Sequence, residues 1–151
     1  MCRRDTKSCI ATRNGWSLLG GTTLIKFTIP VEPRTKKNHS QMVWKNGRAV
    51  ILPSKPYQQY EKDCGPFIPH PSYAPITGQI NVKAVFYMST RRKVDLVNLL
   101  QAALDIMVKY GLIEDDNSKV VVSVDGSRVA YDKENPRTEV EITEIERGED
   151  L

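Results

Sequence analysis

Hydrophobic and polar positions recur with clear periods along much of the chain, and the period changes from segment to segment. Leu24-Ile25-Lys26-Phe27-Thr28-Ile29 alternates as a half-buried strand does, and Pro30 and Pro33 end it. Met42-Val43-Trp44 and Ala49-Val50-Ile51-Leu52 flank Asn46-Gly47. That dipeptide favours a two-residue turn, so Gln41 to Leu52 reads as a β-hairpin. Ser54 precedes a short helix expected over Lys55 to Asp63. Pro66, Pro69, Pro71 and Pro75 mark a connector between Gly65 and Gly78, after which Ile80 to Met88 alternates again as a strand.

The clearest element runs from Asp95 to Tyr110. The Asp95 side chain can accept a hydrogen bond from the free amides of a first helical turn, and Gly111 can supply a left-handed stop. At about 100° per residue, Leu96, Val97, Leu99, Leu100, Ala103, Leu104, Ile106, Met107 and Val108 fall on one broad side. Asn98, Gln101, Ala102, Asp105 and Lys109 fall on a separate, exposed stripe. Lys119 to Val124 and Thr138 to Ile142 follow as expected strands, the last with Val140 and Ile142 inward and Glu139 and Glu141 outward. The order of elements predicts an α+β domain with a mixed sheet and two main helices over residues 24–151. Residues 1–23 lack hydrophobic periodicity and read as a flexible N-terminal tail. Trp16-Ser17-Leu18-Leu19 is too short for the apolar core of a secretory signal.

The chain has 151 residues, a length that fits one domain. No apolar run approaches the roughly 18 residues needed to span a bilayer, so a membrane-spanning role is excluded; the cysteine usage suits a reducing compartment, and the cytoplasm is the expected location. Cys2, Cys9 and Cys64 cannot all pair, and with His39 and His70 they show no zinc-site spacing. The net charge of +4 hides an asymmetry. Met1 to Pro56 carries eleven Lys and Arg against two acids, +9, whereas Tyr57 to Leu151 carries eleven against sixteen, −5. The basic half suits a polyanion such as nucleic acid, and a clustered acidic half suits a divalent cation.

Asp95, Asp105, Glu114, Asp115, Asp116 and Asp125 cluster in sequence behind the basic run Arg91-Arg92-Lys93. Mg²⁺ takes oxygen ligands and needs only one to three carboxylates, and such an ion can assist phosphodiester cleavage. The same acids also read as a solvated surface, and Asp95 as a helix cap alone.

The run Arg92-Lys93-Val94-Asp95-Leu96-Val97-Asn98-Leu99-Leu100-Gln101-Ala102-Ala103-Leu104-Asp105, followed by Gly111-Leu112-Ile113-Glu114-Asp115-Asp116-Asn117-Ser118-Lys119-Val120, resembles the RusA-like Holliday junction resolvases. Phe27 to Lys37 is similar to that family's first strand and basic, proline-containing loop. The resemblance covers about Leu24 to Ile145. It implies an intertwined homodimer and a magnesium-dependent endonuclease, with Mn²⁺ as an alternative ion, that cuts four-way DNA junctions in recombination and repair. A phage or prophage origin within a bacterial host is implied as well. No small-molecule cofactor and no membrane partner follow. Asp95, Asn98, Asp105, Asp115 and Asp116 match the family pattern. The family's second acid falls on Val97 and its lysine on Gln101, so either the site is rebuilt or the chain is an inactive branched-DNA-binding dimer.

A helix of about 15 residues is roughly 22 Å long, which sets Asp115 and Asp116 at the far end from Asp95. A strand leaving Lys119 would run back at about 3.3 Å per residue and is expected to bring Asp125 towards Asp95, as a replacement ligand or merely as a turn residue. Antiparallel helices in a two-fold dimer would bring one subunit's Asp115 and Asp116 to the other's Asp95. Catalysis is thus expected of Asp95, Asp115, Asp116 and Asp125, and metal binding of Asp95, Asp116 and Asp125, with Asn98 and Asp105 in support. Arg128, Lys109 or a residue of Arg91-Arg92-Lys93 is available to replace the lysine. DNA contacts are expected from Arg34, Lys36, Lys37, Arg91, Arg92, Lys93 and Arg128. Trp44 and Tyr57 are open to two readings, stacking on a base or packing.

Overall fold

A computed structural model describes residues 23–36, 40–71 and 74–145. The expected tail, with Cys2 and Cys9, and the residues Lys37 and His39 lie outside the described residues. The architecture is α+β, with a mixed sheet and two α-helices.

Strand β1 (Thr23–Ile29) pairs antiparallel with β7 (Arg137–Glu144), which pairs antiparallel with β4 (Ile80–Met88). The other edge of β4 is covered in two pieces, both parallel to it: β5 (Val121–Ser123) at the Ile80 end and β6 (Arg128–Tyr131) at the Met88 end. The strand expected over Lys119 to Val124 is present as the shorter β5, and β6, which the pattern did not predict, continues the same edge after a break at Val124–Ser127. Side chains replace the ladder across the break. The Asp125 N–H donates to Asn81 Oδ1 at 2.7 Å, and the Ala84 N–H donates to Ser127 Oγ at 3.0 Å.

Helix α1 (Lys55–Cys64) begins at Ser54, whose hydroxyl accepts the Tyr57 N–H at 3.3 Å. Helix α2 (Leu96–Lys109) begins at Asp95 and ends before Gly111, whose φ of +75° turns the chain in the left-handed region. Leu99, Ile106 and Met107 of α2, Tyr57, Tyr60 and Cys64 of α1, and the alternate residues Ile25, Val82, Phe86, Val140 and Ile142 of the sheet form one buried core. Full burial of each large aliphatic side chain stabilises the fold by about 1.5–3 kcal/mol, so both helices are held to one face of the sheet.

Two positions of α2 differ from the periodic reading. Ala102 is buried, because it lies three residues after Leu99 and four before Ile106 on the same face. Val97 is 69% exposed, since it stands four residues from Gln101 and eight from Asp105 on the outward ridge.

Strands β2 (Gln41–Lys45) and β3 (Arg48–Leu52) form the expected hairpin, with positive φ at both Asn46 and Gly47. They make a two-stranded sheet of their own, and every residue in them is exposed. No helix among the described residues is long and apolar enough to cross a membrane.

Candidate active site

Chemistry-bearing residues collect at both ends of α2. At its start, residues 89–94 descend from the end of β4, and the Ser89 hydroxyl donates to the Glu32 carboxylate. Asp95 then caps the helix: Oδ1 accepts the Val97 N–H at 3.0 Å and Oδ2 accepts from Asn98 Nδ2 at 3.1 Å. Asn98 thus orients the Asp95 carboxylate. The cap and a functional carboxylate are compatible here, because each oxygen keeps a second lone pair.

Cations ring this end. The Arg91 guanidinium stands 4.3 Å from the centre of the Tyr131 ring. Arg34 and Arg92 line one crevice with Pro33, Ser54, Tyr57 and Val94. Lys93 is exposed beside them. Positive groups converging on a groove next to a carboxylate can hold phosphates on either side of it.

At the other end of α2, Asp105, Lys109 and Asp116 line a second crevice with Lys36, Glu61 and Val108. Residues 112–114 are anchored by Ile76, whose N–H donates to the Leu112 carbonyl and whose carbonyl accepts the Glu114 N–H, both at 3.0 Å. Asp115 is then spent on the turn: it accepts the Asp116 N–H at 2.8 Å and the Asn117 side-chain amide at 2.5 Å. Glu114 is exposed, away from these contacts. Partial burial raises the Asp116 carboxyl above the usual carboxylate range, helped by a hydrogen bond with Asp115 and by the negative charge of Asp105. Lys36 Nζ reaches Asp105 at 3.2 Å, and Lys109 Nζ reaches Glu61 at 2.8 Å, a bond that raises the Lys109 ammonium.

Asp95 and Asp105 are ten positions apart on one helix, about 15 Å at 1.5 Å per residue. Asp116 sits with Asp105, so a single chain keeps Asp95 and Asp116 apart. Among the described residues, no three His, Cys, Asp or Glu side chains come together to hold a metal ion. Asp95 and Asp116 of one chain therefore cannot hold the same cation.

Two expected placements need correction. Asp125 does not approach Asp95. It is held level with Asn81, and the seven residues from Asn81 to Met88 separate it from the start of α2 by about 23 Å of strand. The chain does return towards that end, but the break before β6 delays it. The acid level with Met88 is Asp132, whose N–H donates to the Met88 carbonyl, and its carboxylate is paired with Arg137 at 2.8 Å. Arg128 lies on the other face of the sheet from α2, in a shallow crevice with Lys26, Lys83, Glu139 and Glu141, because it pairs with the outward residue Val85. It cannot replace a helix-borne lysine of the same chain. Lys36 meets Asp105 at 3.2 Å, with its side chain still about half exposed.

Of the two aromatics, Tyr57 belongs to the core, and burial raises its hydroxyl pKa. Trp44 is 72% exposed. Sequence reading missed Glu61, which arrives from α1 and carries no local signal. Lys36 was read only as a phosphate contact, although its opposite charge to Asp105 was a weak hint.

No curated protein matches the sequence. The family model for endodeoxyribonuclease RusA matches residues 30–143, a span that contains the proline-rich basic loop, both ends of α2 and every strand of the sheet except β1 and the last residue of β7. The chain belongs to the RusA endodeoxyribonuclease family.

Proposed function

We propose that this protein is a Mg²⁺-dependent endonuclease that resolves Holliday junctions or related branched DNA, with Mn²⁺ as an alternative ion. The observation that carries the reading is the family match across both ends of α2, where carboxylates stand beside grooves lined by Arg and Lys. Because Asp95 and Asp116 of one chain stand too far apart to share a cation, the reading joins two copies. Asp95 of one protomer, oriented by Asn98, would share a site with Asp116 of the other. Asp105 and Lys36 would fix the charge beside Asp116, and Asp115 would shape its turn. In this reading Arg34, Arg92 and the neighbouring Arg91 and Lys93 hold the phosphate backbone, and Lys109 is the family lysine's nearest substitute at the Asp116 end. Asp125 and Arg128 have no part in it.

A second reading has its own observation. Val97 and Gln101, where the family carries an acid and a lysine, are both exposed on the outward ridge of α2, so neither is replaced at its own place in the fold. In that reading the protein binds branched DNA as a dimer without cutting it. A synthetic four-way junction incubated with Mg²⁺, with Mn²⁺ and without either, beside a linear duplex, decides the matter. Metal-dependent nicking of the junction alone supports the nuclease, and binding without nicking supports the second reading.

A further inference from the structure

No residue of the β2–β3 hairpin belongs to the core, and no other strand pairs with it. Met42 and Ile51 are cross-strand partners, as are Trp44 and Ala49, so these four residues share one face, which carries no charge. Met42 is 66% exposed, Trp44 72% and Ile51 68%. Ala49 offers its partner Trp44 only a methyl group, which leaves most of the indole open. The charge of the segment is one-sided as well. Residues 33–60 contain Arg34, Lys36, Lys37, Lys45, Arg48 and Lys55 but no Asp or Glu. Lys45 and Arg48 pair with each other beside the turn, on the face opposite Trp44.

We propose that Trp44 stacks on the base face that a branch point in DNA leaves uncovered, and that the ribbon 41–52 carries it there. In continuous duplex every base pair is covered on both sides by its neighbours, whereas at a branch one side is open. An aromatic ring reads that open side and not the sequence, because every base has a π-face. Trp44 is then the residue that tells branched DNA from linear DNA, a role that the carboxylates and the Arg34 and Arg92 crevice cannot fill, since phosphates are present in both.

Charge and reach select DNA as the occupant. Six cations without one acid suit a polyanion. The ribbon is rooted at the candidate phosphate groove, because Ser54, two residues after Leu52, lines that crevice with Arg34 and Arg92. Five residues at about 3.4 Å each extend about 17 Å, twice the roughly 8.5 Å depth of the major groove, which is wide enough to admit a two-stranded ribbon. A ribbon rooted at the backbone therefore reaches the base stack, with Lys45 and Arg48 on its other face for the neighbouring phosphates. Met42 and Ile51, beside Trp44, are of the side-chain types that wedge between base steps. The proposal rests on the branched-DNA reading above and deepens it.

The experiment measures the affinity of the full chain by fluorescence anisotropy for a four-way junction and for a linear duplex, both with their ends closed by tight loops, and without metal so that no cleavage intervenes. Trp44→Ala should weaken junction binding roughly 5- to 150-fold, the loss of one aromatic stacking partner, and leave duplex binding within about two-fold. Trp44→Phe should keep most of the junction affinity. Position 44 lies outside the core, so both variants should retain the wild-type far-ultraviolet circular dichroism and melting temperature. Fluorescence supplies a second measurement on an unaltered ribbon. The chain has two tryptophans, and in a Trp16→Phe background Trp44 emission should fall when the junction is added and hold when the duplex is. The emission of 2-aminopurine should change on binding when it sits at the branch point and stay constant when it sits in the middle of an arm. Equal losses on junction and duplex, or a Trp44 emission indifferent to the junction, would overturn the proposal. So would a Trp44→Ala protein that sediments at a different mass from wild type, which would assign the face to a second copy of the chain. A wild type that prefers the junction, with Trp44→Ala unchanged, would sink the stacking and leave the branched-DNA reading standing; a wild type that binds duplex as tightly as junction would sink that reading, and the stacking with it.

Discussion

Asp95→Asn protein mixed with Asp116→Asn protein should recover roughly a quarter of wild-type nicking activity, although each alone is inactive. The expectation rests on helix geometry. Ten residues at 1.5 Å separate Asp95 from Asp105 by about 15 Å, and Asp116 lines the Asp105 crevice. Two carboxylates on one cation must place oxygens within about 2.1 Å of it, which Asp95 and Asp116 of the same chain cannot do. If each site combines Asp95 of one protomer with Asp116 of its partner, a mixed dimer carries both lesions in one site and none in the other. Random exchange makes about half of the dimers mixed, each with one whole site of two, hence the quarter. A supercoiled plasmid with an extruded cruciform is the suitable substrate, because a dimer with one working site yields nicked circles and little linear product. Exchange is verified by mass on differently tagged protomers. Verified exchange without recovered nicking would refute the shared site and require both acids to act within one chain.

The same Asp95→Asn change should lower stability by only about 1 kcal/mol, through one weakened side-chain hydrogen bond and a lost charge at the helix start. That amounts to about 2–4 °C in melting temperature for a chain of this size, while cleavage falls at least 100-fold; full activity would leave Asp95 a cap and nothing more. Arg34→Ala with Arg92→Ala should weaken binding to junction and linear duplex alike and reduce the slope of log affinity against log salt by about two, and an unchanged slope places the DNA elsewhere. Asp116 has a raised carboxyl, so the folded state holds its proton more readily than the unfolded state and the ionised form opposes folding. Asp116→Asn should therefore raise the melting temperature at neutral pH, with the gain shrinking as pH falls below the folded value; a gain that persists in acid contradicts this. Burial pushes the Cys64 thiol up to about 11. In a Cys2→Ser/Cys9→Ser background it should resist alkylation at pH 8 in the native protein and react fully in denaturant, and rapid native alkylation would show that α1 opens.

What local sequence determines, it determines here without help. The Asn46-Gly47 turn, the Ser54 and Asp95 caps and the Gly111 stop depend on backbone preferences and on side chains a few residues away. The hairpin and both helices were legible within a residue or two for that reason. The two acidic motifs flanking α2 were equally plain, and with them the family. Tertiary structure decided the rest, because the deciding contacts are distant in sequence. Ala102 is buried and Val97 exposed according to where the sheet lies against α2, which a period of 3.6 does not specify. The edge strand breaks at Asp125 because Asn81, 44 residues earlier, captures its N–H, and that break holds Asp125 away from the site. Lys36 is drawn to Asp105 across 69 positions, and Glu61 arrives on a separate helix. Coulomb attraction and packing act through space, so which charges meet was written in the chain only as composition until the fold brought them together.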